Sequence, residues 1–211
     1  MTGPAVPRRT WSLIVTLMGD ATREDGRALP TAAIHEVLAP AGVSAQAVRT
    51  ALHRLRADGW IETDRRGRAS LHRLSPDALA HTRAAAPRIY GPGPSDPGEW
   101  HLSPEPVGPA LGGLHLGRGA LPPGMPGLSG AVLRLSDGQR AALWPEPLRR
   151  ALDALLARLD GAAPTPTARL LVLHDWRRIA LRAPDLPDAM APPDWRGAEA
   201  RRRLAPLLSR G

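Results

Sequence analysis

The side chains best suited to chemistry lie on one predicted helix, which begins after Gly42. At 100° per residue its apolar residues share one stripe, formed by Val48, Ala51, Leu52 and Leu55. The opposite side carries the amide of Gln46, the hydroxyl of Thr50 and the imidazole of His53. The guanidinium groups of Arg49 and Arg54 flank it. Such groups bond base edges and phosphates, and arginine can bond guanine bidentately. The pattern predicts a helix that is buried on one face and binds nucleic acid on the other.

A basic hairpin is predicted directly after this helix. Gly59 ends the helix, and "WIETD" and "SLHRL" are short β-tolerant arms joined by "RRGRA". The tip would hold the positive charges of Arg65, Arg66 and Arg68 beside the helix, where a wing meets the DNA backbone or minor groove. The chain carries a net charge of +8, and residues 49–73 supply seven arginines against three acids. This clustering favours a polyanionic partner.

The order of the elements favours DNA binding over the ordinary alternative, a solvated surface helix. "RRTWSLIVTLMGD" and "LPTAAIHEVLAP" predict two earlier helices, with Thr31 as N-cap of the second and Pro40 as its end. Only "APAGVS" separates that helix from the third, whose N-cap is Ser44. Three helices and a basic hairpin predict a winged helix-turn-helix over 1–90. Its predicted DNA-binding residues are Ser44, Gln46, Arg49, Thr50, His53, Arg54, Arg65, Arg66 and Arg68.

The rest of the chain divides into two further predicted segments. Residues 91–138 are rich in Gly and Pro, as a plain linker would be. However, "EWHLS", "GGLHLG" and "AVLRLS" favour a small, loop-rich β element with short strands. Residues 139–211 are predicted to be helical, because leucines at 148, 152, 155, 156 and 159 repeat at helical spacing. We also expect Trp176 and Trp195 to anchor a core, and the arginines at 201–203 to form a solvated helix face. The predicted fold class is α+β and mainly helical.

Composition excludes several classes of site. The chain has no Cys and no Lys, which excludes disulfides, thiolate metal sites, a P-loop lysine and a Schiff-base lysine. No HxxxH or HExxH spacing occurs, and His101 and His115 near Glu99 and Glu105 are a weak alternative for a metal site. No apolar run is long enough to cross a bilayer, and we interpret the N-terminus as the first helix instead of a signal peptide. We expect a cytoplasmic protein with no catalytic residues, no cofactor, no metal and no membrane partner.

Two sets of motifs resemble one known family. "WSLIVTLMGD", "VSAQAVRTALHRLRADGWIE" and "RRGRASLHRLSP" resemble the N-terminal domain of the PaaX family of bacterial transcriptional repressors. "LLVLHDWRRIALRAPDLPDAMAPPDWRGAEARRRL" resembles the C-terminal domain of that family. The resemblance implies a homodimeric repressor of catabolic genes, such as those for phenylacetate breakdown. It would bind palindromic double-stranded operator DNA and leave it when an acyl-CoA such as phenylacetyl-CoA binds.

The resemblance also implies a middle domain with a ferredoxin-like, Cas2-like fold, which is shortened here. The helix expected between its first two strands is missing from 91–138. His174, Arg177 and Arg178 are the candidate effector-binding residues. The two arginines could meet an acyl-CoA phosphate, or they could pair with Asp185, Asp188 or Asp194 across the turn. The alternative function is a winged-helix protein-interaction module, or a small acyl-CoA- or nucleotide-binding protein. The basic wing argues against this alternative.

Overall fold

The computed structural model describes residues 9–131, 134–159 and 165–208. Helices and two small antiparallel sheets form it, so the predicted α+β, mainly helical class is confirmed. By internal packing the chain divides into two compact units: Met1–Ala86 with Gly161–Arg177, and Pro87–Asp160 with Arg178–Gly211. The three predicted domains, 1–90, 91–138 and 139–211, stay a prediction. Among the described residues, no helix is long and apolar enough to span a membrane.

Three helices form the core of the first unit. They are α1 (Thr10–Thr22), α2 (Thr31–Leu38) and α3 (Ala45–Ala57). A single 3-10 turn, Ala39–Ala41, follows α2, because Pro40 cannot continue an α-helix, and Gly42 then adopts a left-handed conformation (φ +79°). The core of this unit includes Ile14, Met18, Ile34, Leu38 and Leu55.

Thr31 does not have the predicted N-cap role. It is the first residue of α2, whose N-cap is Pro30, and no side chain caps that end. The Thr31 hydroxyl instead lies 2.8 Å from His72 Nε2. The prediction failed because a threonine hydroxyl can bond a distant side chain as well as the amides of its own helix.

A three-stranded antiparallel sheet completes the first unit with parts of α4 (Pro76–Tyr90) and of α7 (Pro166–Ala180). Its strands are β1 (Leu29–Pro30), β2 (Ile61–Arg66) and β3 (Ala69–Leu74), in the order β1-β3-β2. Strands β2 and β3 form the predicted hairpin, with arms longer than predicted. Because Arg66 pairs with Ala69, the turn consists of Gly67 and Arg68. Gly67 has a φ of +60° and Arg68 has no positive φ, as in a type II′ turn, which matches the twist of the strands.

The second unit contains a four-stranded sheet of order β5-β6-β4-β7. Its strands are β4 (Trp100–Ser103), β5 (Ala110–Leu111), β6 (Leu114–Arg118) and β7 (Leu128–Gly130). The strands predicted from "EWHLS" and "GGLHLG" are therefore confirmed. The strand predicted from "AVLRLS" is wrong for residues 134–136, which have no regular structure, and residues 132–133 lie outside the described residues. The fully described stretch 104–113 has no helix between β4 and β6.

Helices α5 (Asp137–Leu143), α6 (Glu146–Leu159) and α8 (Gly197–Leu208) complete the second unit. The predicted leucine repeat is core: Leu148, Leu152, Leu155 and Leu156 are buried. Trp195 packs against a second core cluster, 6.4 Å from Trp144 by ring centroids, and Trp176 is buried in α7. The expected solvated face at 201–203 is wrong for Arg201, whose Nη1 donates to the carbonyls of Arg88 and Gly91.

Candidate nucleic-acid interface

Helix α3 presents one apolar and one polar face, as its sequence predicts. The Ser44 hydroxyl accepts a hydrogen bond from Ala47 N at 3.1 Å, which satisfies one free amide of the first turn. The predicted stripe is buried, and it consists of Val48, Ala51, Leu52 and Leu55. The polar face is exposed, and it consists of Gln46, Arg49, Thr50, His53 and Arg54. The helix is thus fixed by its core side and free to contact a partner on its outer side.

Two of the outer side chains are bonded to each other. Arg49 donates from Nε and Nη2 to Gln46 Oε1, at 3.2 and 2.8 Å. Both residues are exposed, and they lie three positions apart on the same side of the helix. The amide oxygen thus orients the guanidinium plane. The amide group of Gln46 keeps its own two donors for another acceptor.

A shallow cleft of about 470 Å³ lies beside this face, and Arg54 forms part of it. Its lining residues are Thr10, Trp11, Ser44, Gln46, Ala47, Thr50, Ala51 and Arg54. Arg54 Nε lies 3.5 Å from Asp58 in an exposed ion pair, which is a weak interaction. Sequence reasoning missed Thr10 and Trp11, because their place beside α3 is a tertiary contact with no local signal.

The hairpin separates paired from exposed arginines. Arg73 lies near the hairpin base and donates to Glu62 and Asp64, at 2.8 Å each. The hydrogen bond to Glu62 contributes most to raising the pKa of Arg73, followed by the charge of Asp64. Arg65 and Arg66 end β2, Arg68 lies in the turn, and all three are exposed. The acids of the hairpin therefore neutralise its base, while the positive charge remains at its tip.

A buried histidine supports the hairpin from its inner side. His72 is 5% exposed, with Nε2 2.8 Å from the Thr31 hydroxyl and Nδ1 3.0 Å from the Thr63 hydroxyl. Burial lowers the pKa of His72, and the positive charge of Arg56 lowers it further. A neutral imidazole has one donor and one acceptor nitrogen, which suits two hydroxyl neighbours. His72 thus joins β3 to β2 and to the start of α2.

The candidate effector-binding residues all lie on α7. His174 is buried in the first unit, with Nδ1 3.0 Å from Thr16 Oγ1, while Arg177 and Arg178 are half-buried. This position agrees with the structural alternative for His174, and an effector role for the three residues stays a prediction. The three acids that could pair with these arginines contact other side chains: Asp185 contacts Arg118, Asp188 contacts Trp195, and Asp194 contacts Arg149.

The two histidines considered for metal binding are bonded to backbone carbonyls. His101 Nδ1 lies 2.9 Å from Gly119 O, and His115 Nδ1 lies 2.9 Å from Gly108 O. Within the described ranges, no group of three or more His, Cys, Asp or Glu residues could hold a metal ion.

Comparison with known proteins agrees with the resemblance at both ends of the chain. Residues 9–78 match the family model described as PaaX-like protein, and residues 146–209 match the model described as PaaX-like protein C-terminal domain. This chain belongs to the PaaX-like family. It is similar to the transcriptional repressor PaaX of Escherichia coli (strain K12), with 28% identity over 262 aligned positions. That alignment covers 98% of this chain and 81% of the repressor.

The two PaaX-like matches leave residues 79–145 between them. The first match includes α3 and the whole hairpin, so every predicted DNA-binding residue lies inside it. The alignment with the E. coli repressor is longer than this chain by 51 positions. At least 51 aligned positions are therefore gaps in this chain. The Cas2-like origin of the middle region stays a prediction.

Proposed function

We propose that this chain is a DNA-binding transcriptional regulator whose winged helix-turn-helix comprises α1 to α3 and the β2–β3 hairpin. Helix α3 enters the major groove with its N-terminal end first, and the hairpin tip follows the flanking backbone. Membership of the PaaX-like family and the similarity to a transcriptional repressor support this proposal. They favour a regulator over an enzyme, and they do not favour the alternative of a protein-interaction module.

The observation that carries the proposal is the distribution of charge in the first unit. The polar face of α3 and the three arginines of the hairpin tip are exposed, whereas Glu62 and Asp64 are bound by Arg73. A duplex carries one negative charge per about 1.7 Å of axis, so arginines at the tip would displace counterions from its phosphates. A wing that contacts an ordinary protein surface gains nothing from this excess of charge.

We assign different tasks to the two parts of the interface. The tip arginines Arg65, Arg66 and Arg68 supply affinity that does not depend on sequence and falls with salt. Gln46 and Arg49 supply sequence preference, because arginine can bond the O6 and N7 acceptors of guanine. Ser44, Thr50, His53 and Arg54 contact the same groove or its edges.

The rest of the proposal is what the resemblance to the PaaX family implies about the regulated genes, the oligomer, the operator and the effector. The chain represses catabolic genes as a homodimer on a palindromic operator, and an acyl-CoA such as phenylacetyl-CoA releases it. It works in the cytoplasm, where its operator lies. In this proposal His174, Arg177 and Arg178 are the effector-binding residues, and His174 is buried.

The decisive experiment is footprinting on the promoter region of the protein's own gene, with and without a panel of acyl-CoAs. We expect protection of a palindrome and its loss with one of the thioesters.

Arg49→Ala and Gln46→Ala should each lower the preference for operator over random duplex by roughly 10- to 100-fold. These two residues are bonded to each other. The double variant should therefore lose less discrimination free energy than the sum of the losses of the two single variants. Variants that keep full preference would contradict the assignment of α3.

A further inference from the structure

We infer that the first part of α7 holds the DNA-binding surface in position, with Thr167, Arg169 and His174 as the positioning residues. They fix α1 and the end of α2, the helices against which α3 packs. This inference rests on the proposed function, because DNA binding is its readout. It adds residues about 120 positions beyond α3 to the determinants of sequence preference.

Thr167 contacts the end of α2 at the point where the chain turns toward α3. Its hydroxyl donates to the carbonyl of Val37 at 2.7 Å, and the residue is only 9% exposed. Val37 is the penultimate residue of α2, and the last four carbonyls of a helix lack donors within it. A side chain from α7 thus satisfies a carbonyl of α2 directly before the 3-10 turn. Any movement of the end of α2 would change the orientation of α3, which follows it after the 3-10 turn.

Arg169, two residues further along α7, makes a contact with α1. Its guanidinium donates through Nη1 and Nη2 to the two carboxylate oxygens of Asp20, near the C-terminal end of α1. The Asp20 side chain is only 8% exposed, and it also contacts Arg23 at 3.4 Å. A carboxylate removed from water to this extent needs charged partners. The ion pair therefore fixes the position of α7 along α1.

His174 supplies the third contact, and its direction can be deduced. Thr16 has one hydroxyl hydrogen, which it donates to Ser12 O at 3.0 Å. The same oxygen lies 3.0 Å from His174 Nδ1, so it must accept from an Nδ1–H. Leu170 lies in the same core cluster as Ile14 and Leu38 and is 3% exposed. Thr167, Leu170 and His174 are spaced three and four residues apart, so one face of α7 makes these contacts.

These contacts have a consequence for the boundaries of the DNA-binding unit. Residues 165–177 lie within the match to the C-terminal family model, yet they pack in the same unit as α1 to α3. The segment 1–90 alone lacks the Thr167 hydroxyl, the Arg169 guanidinium and the buried Leu170. Sequence preference therefore depends on residues outside the segment that carries the DNA-contacting side chains.

The test compares two threonine variants of the full chain. Thr167→Val removes the hydroxyl that bonds Val37 O and preserves the shape of the side chain. The matched control is Thr165→Val, because the Thr165 hydroxyl accepts from Ala168 N at 3.1 Å, a contact within α7 at its exposed start. Well below the melting temperature, we expect Thr167→Val to lower the ratio of operator to random-duplex affinity about tenfold. Random-duplex affinity and its salt dependence should stay unchanged, and Thr167→Ser should restore the ratio.

The outcomes separate this inference from the proposed function. If the wild-type chain shows no preference for any duplex, the proposed function fails. If the wild type prefers its operator and Thr167→Val keeps the full ratio while lowering the melting temperature as Thr165→Val does, the positioning role is wrong. Should Thr167→Val not fold, Arg169→Gln takes its place, with Arg150→Gln as control, because Arg150 forms an exposed ion pair with Glu146. The ratio of operator to random-duplex affinity should show the same drop for Arg169→Gln and no drop for Arg150→Gln.

Discussion

Two arginine clusters in this chain differ in what their side chains contact. On α3 and the β2–β3 hairpin, the guanidinium groups point outward, and the tip arginines at 65, 66 and 68 are exposed. Around α8, several guanidinium groups are held within the second unit. Arg201 donates to two backbone carbonyls, Arg203 lies 3.6 Å from Glu199, and Arg196 contacts both Glu199 and Asp153.

The difference shows that the supply of local acceptors decides what an arginine cluster does. Burial lowers the pKa of Arg201, and the residue is held by backbone carbonyls, so it acts as a structural cross-link. In the hairpin, two acids lie within reach, but Arg73 binds both of them and leaves the tip charged. A count of arginines alone would have treated the two regions alike.

The largest effect should come from removing the charge of the hairpin tip. In the Arg65→Gln/Arg66→Gln/Arg68→Gln variant, affinity for operator and random duplex should fall together, by on the order of 100-fold at low salt. The slope of log affinity against log salt should decrease in magnitude by about 2.7, since three phosphate contacts are lost. Fluorescence anisotropy with labelled duplexes over a salt series measures both quantities.

Arg202→Gln is the control for this variant, because Arg202 is exposed in the other cluster. It should leave both the affinity and the salt slope unchanged. A triple variant with an unaltered slope would show that the tip does not contact phosphates, and the contrast between the two clusters would then lose its functional meaning.

The next largest effect concerns stability, and it should appear only in the other cluster. Arg201→Gln removes the donor that bonds the carbonyls of Arg88 and Gly91, and we expect the free energy of unfolding to fall by about 2 kcal/mol. Arg202→Gln, next to it and exposed, should stay within about 0.5 kcal/mol of wild type. Urea unfolding followed by circular dichroism measures the difference. If Arg201→Gln lowered DNA affinity without lowering stability, the structural role would be wrong, and Arg201 would be assigned to binding an anionic ligand such as DNA.

Much of the first unit could be predicted from local sequence signals. Ser44 and Gly59 mark the ends of α3, the apolar stripe of that helix is buried, and the hairpin turns at Gly67. These features depend on residues that are close together in the chain, where capping, periodicity and turn chemistry operate. The family resemblance at both ends of the chain is confirmed as well.

The features that sequence reasoning missed depend on contacts between distant residues. Thr31 bonds His72 instead of capping its own helix, and Thr167 bonds Val37 across 130 positions. The strand predicted at "AVLRLS" is absent from residues 134–136. The strand β7 forms before it and pairs with β4, although Leu128 is exposed and only Gly127 separates it from Pro126. Neither periodicity nor propensity encodes which distant element supplies a partner.

The smallest predicted effect tests whether an arginine of the first cluster, Arg56, lowers the pKa of the buried His72 and so makes stability depend on pH. Burial and the positive charge of Arg56 both lower the pKa of His72. The unfolded chain binds a proton at His72 with an ordinary pKa of about 6.5, and the folded chain binds it only at lower pH. The unfolded state therefore holds more protons between these two values, and the free energy of unfolding should fall as the pH drops below about 6.5.

His72→Gln should remove this part of the pH dependence, because a glutamine amide can both donate and accept beside Thr31 and Thr63 and does not titrate near neutrality. Arg56→Gln should raise the pKa of His72 and so move the onset of its protonation in the folded state to higher pH. Urea unfolding between pH 5 and 8, together with NMR titration of the histidine ring protons, measures both effects. Identical pH profiles for wild type and Arg56→Gln would show that burial alone sets the pKa of His72. The charge of the first cluster would then be directed to solvent and DNA without a cost to the fold.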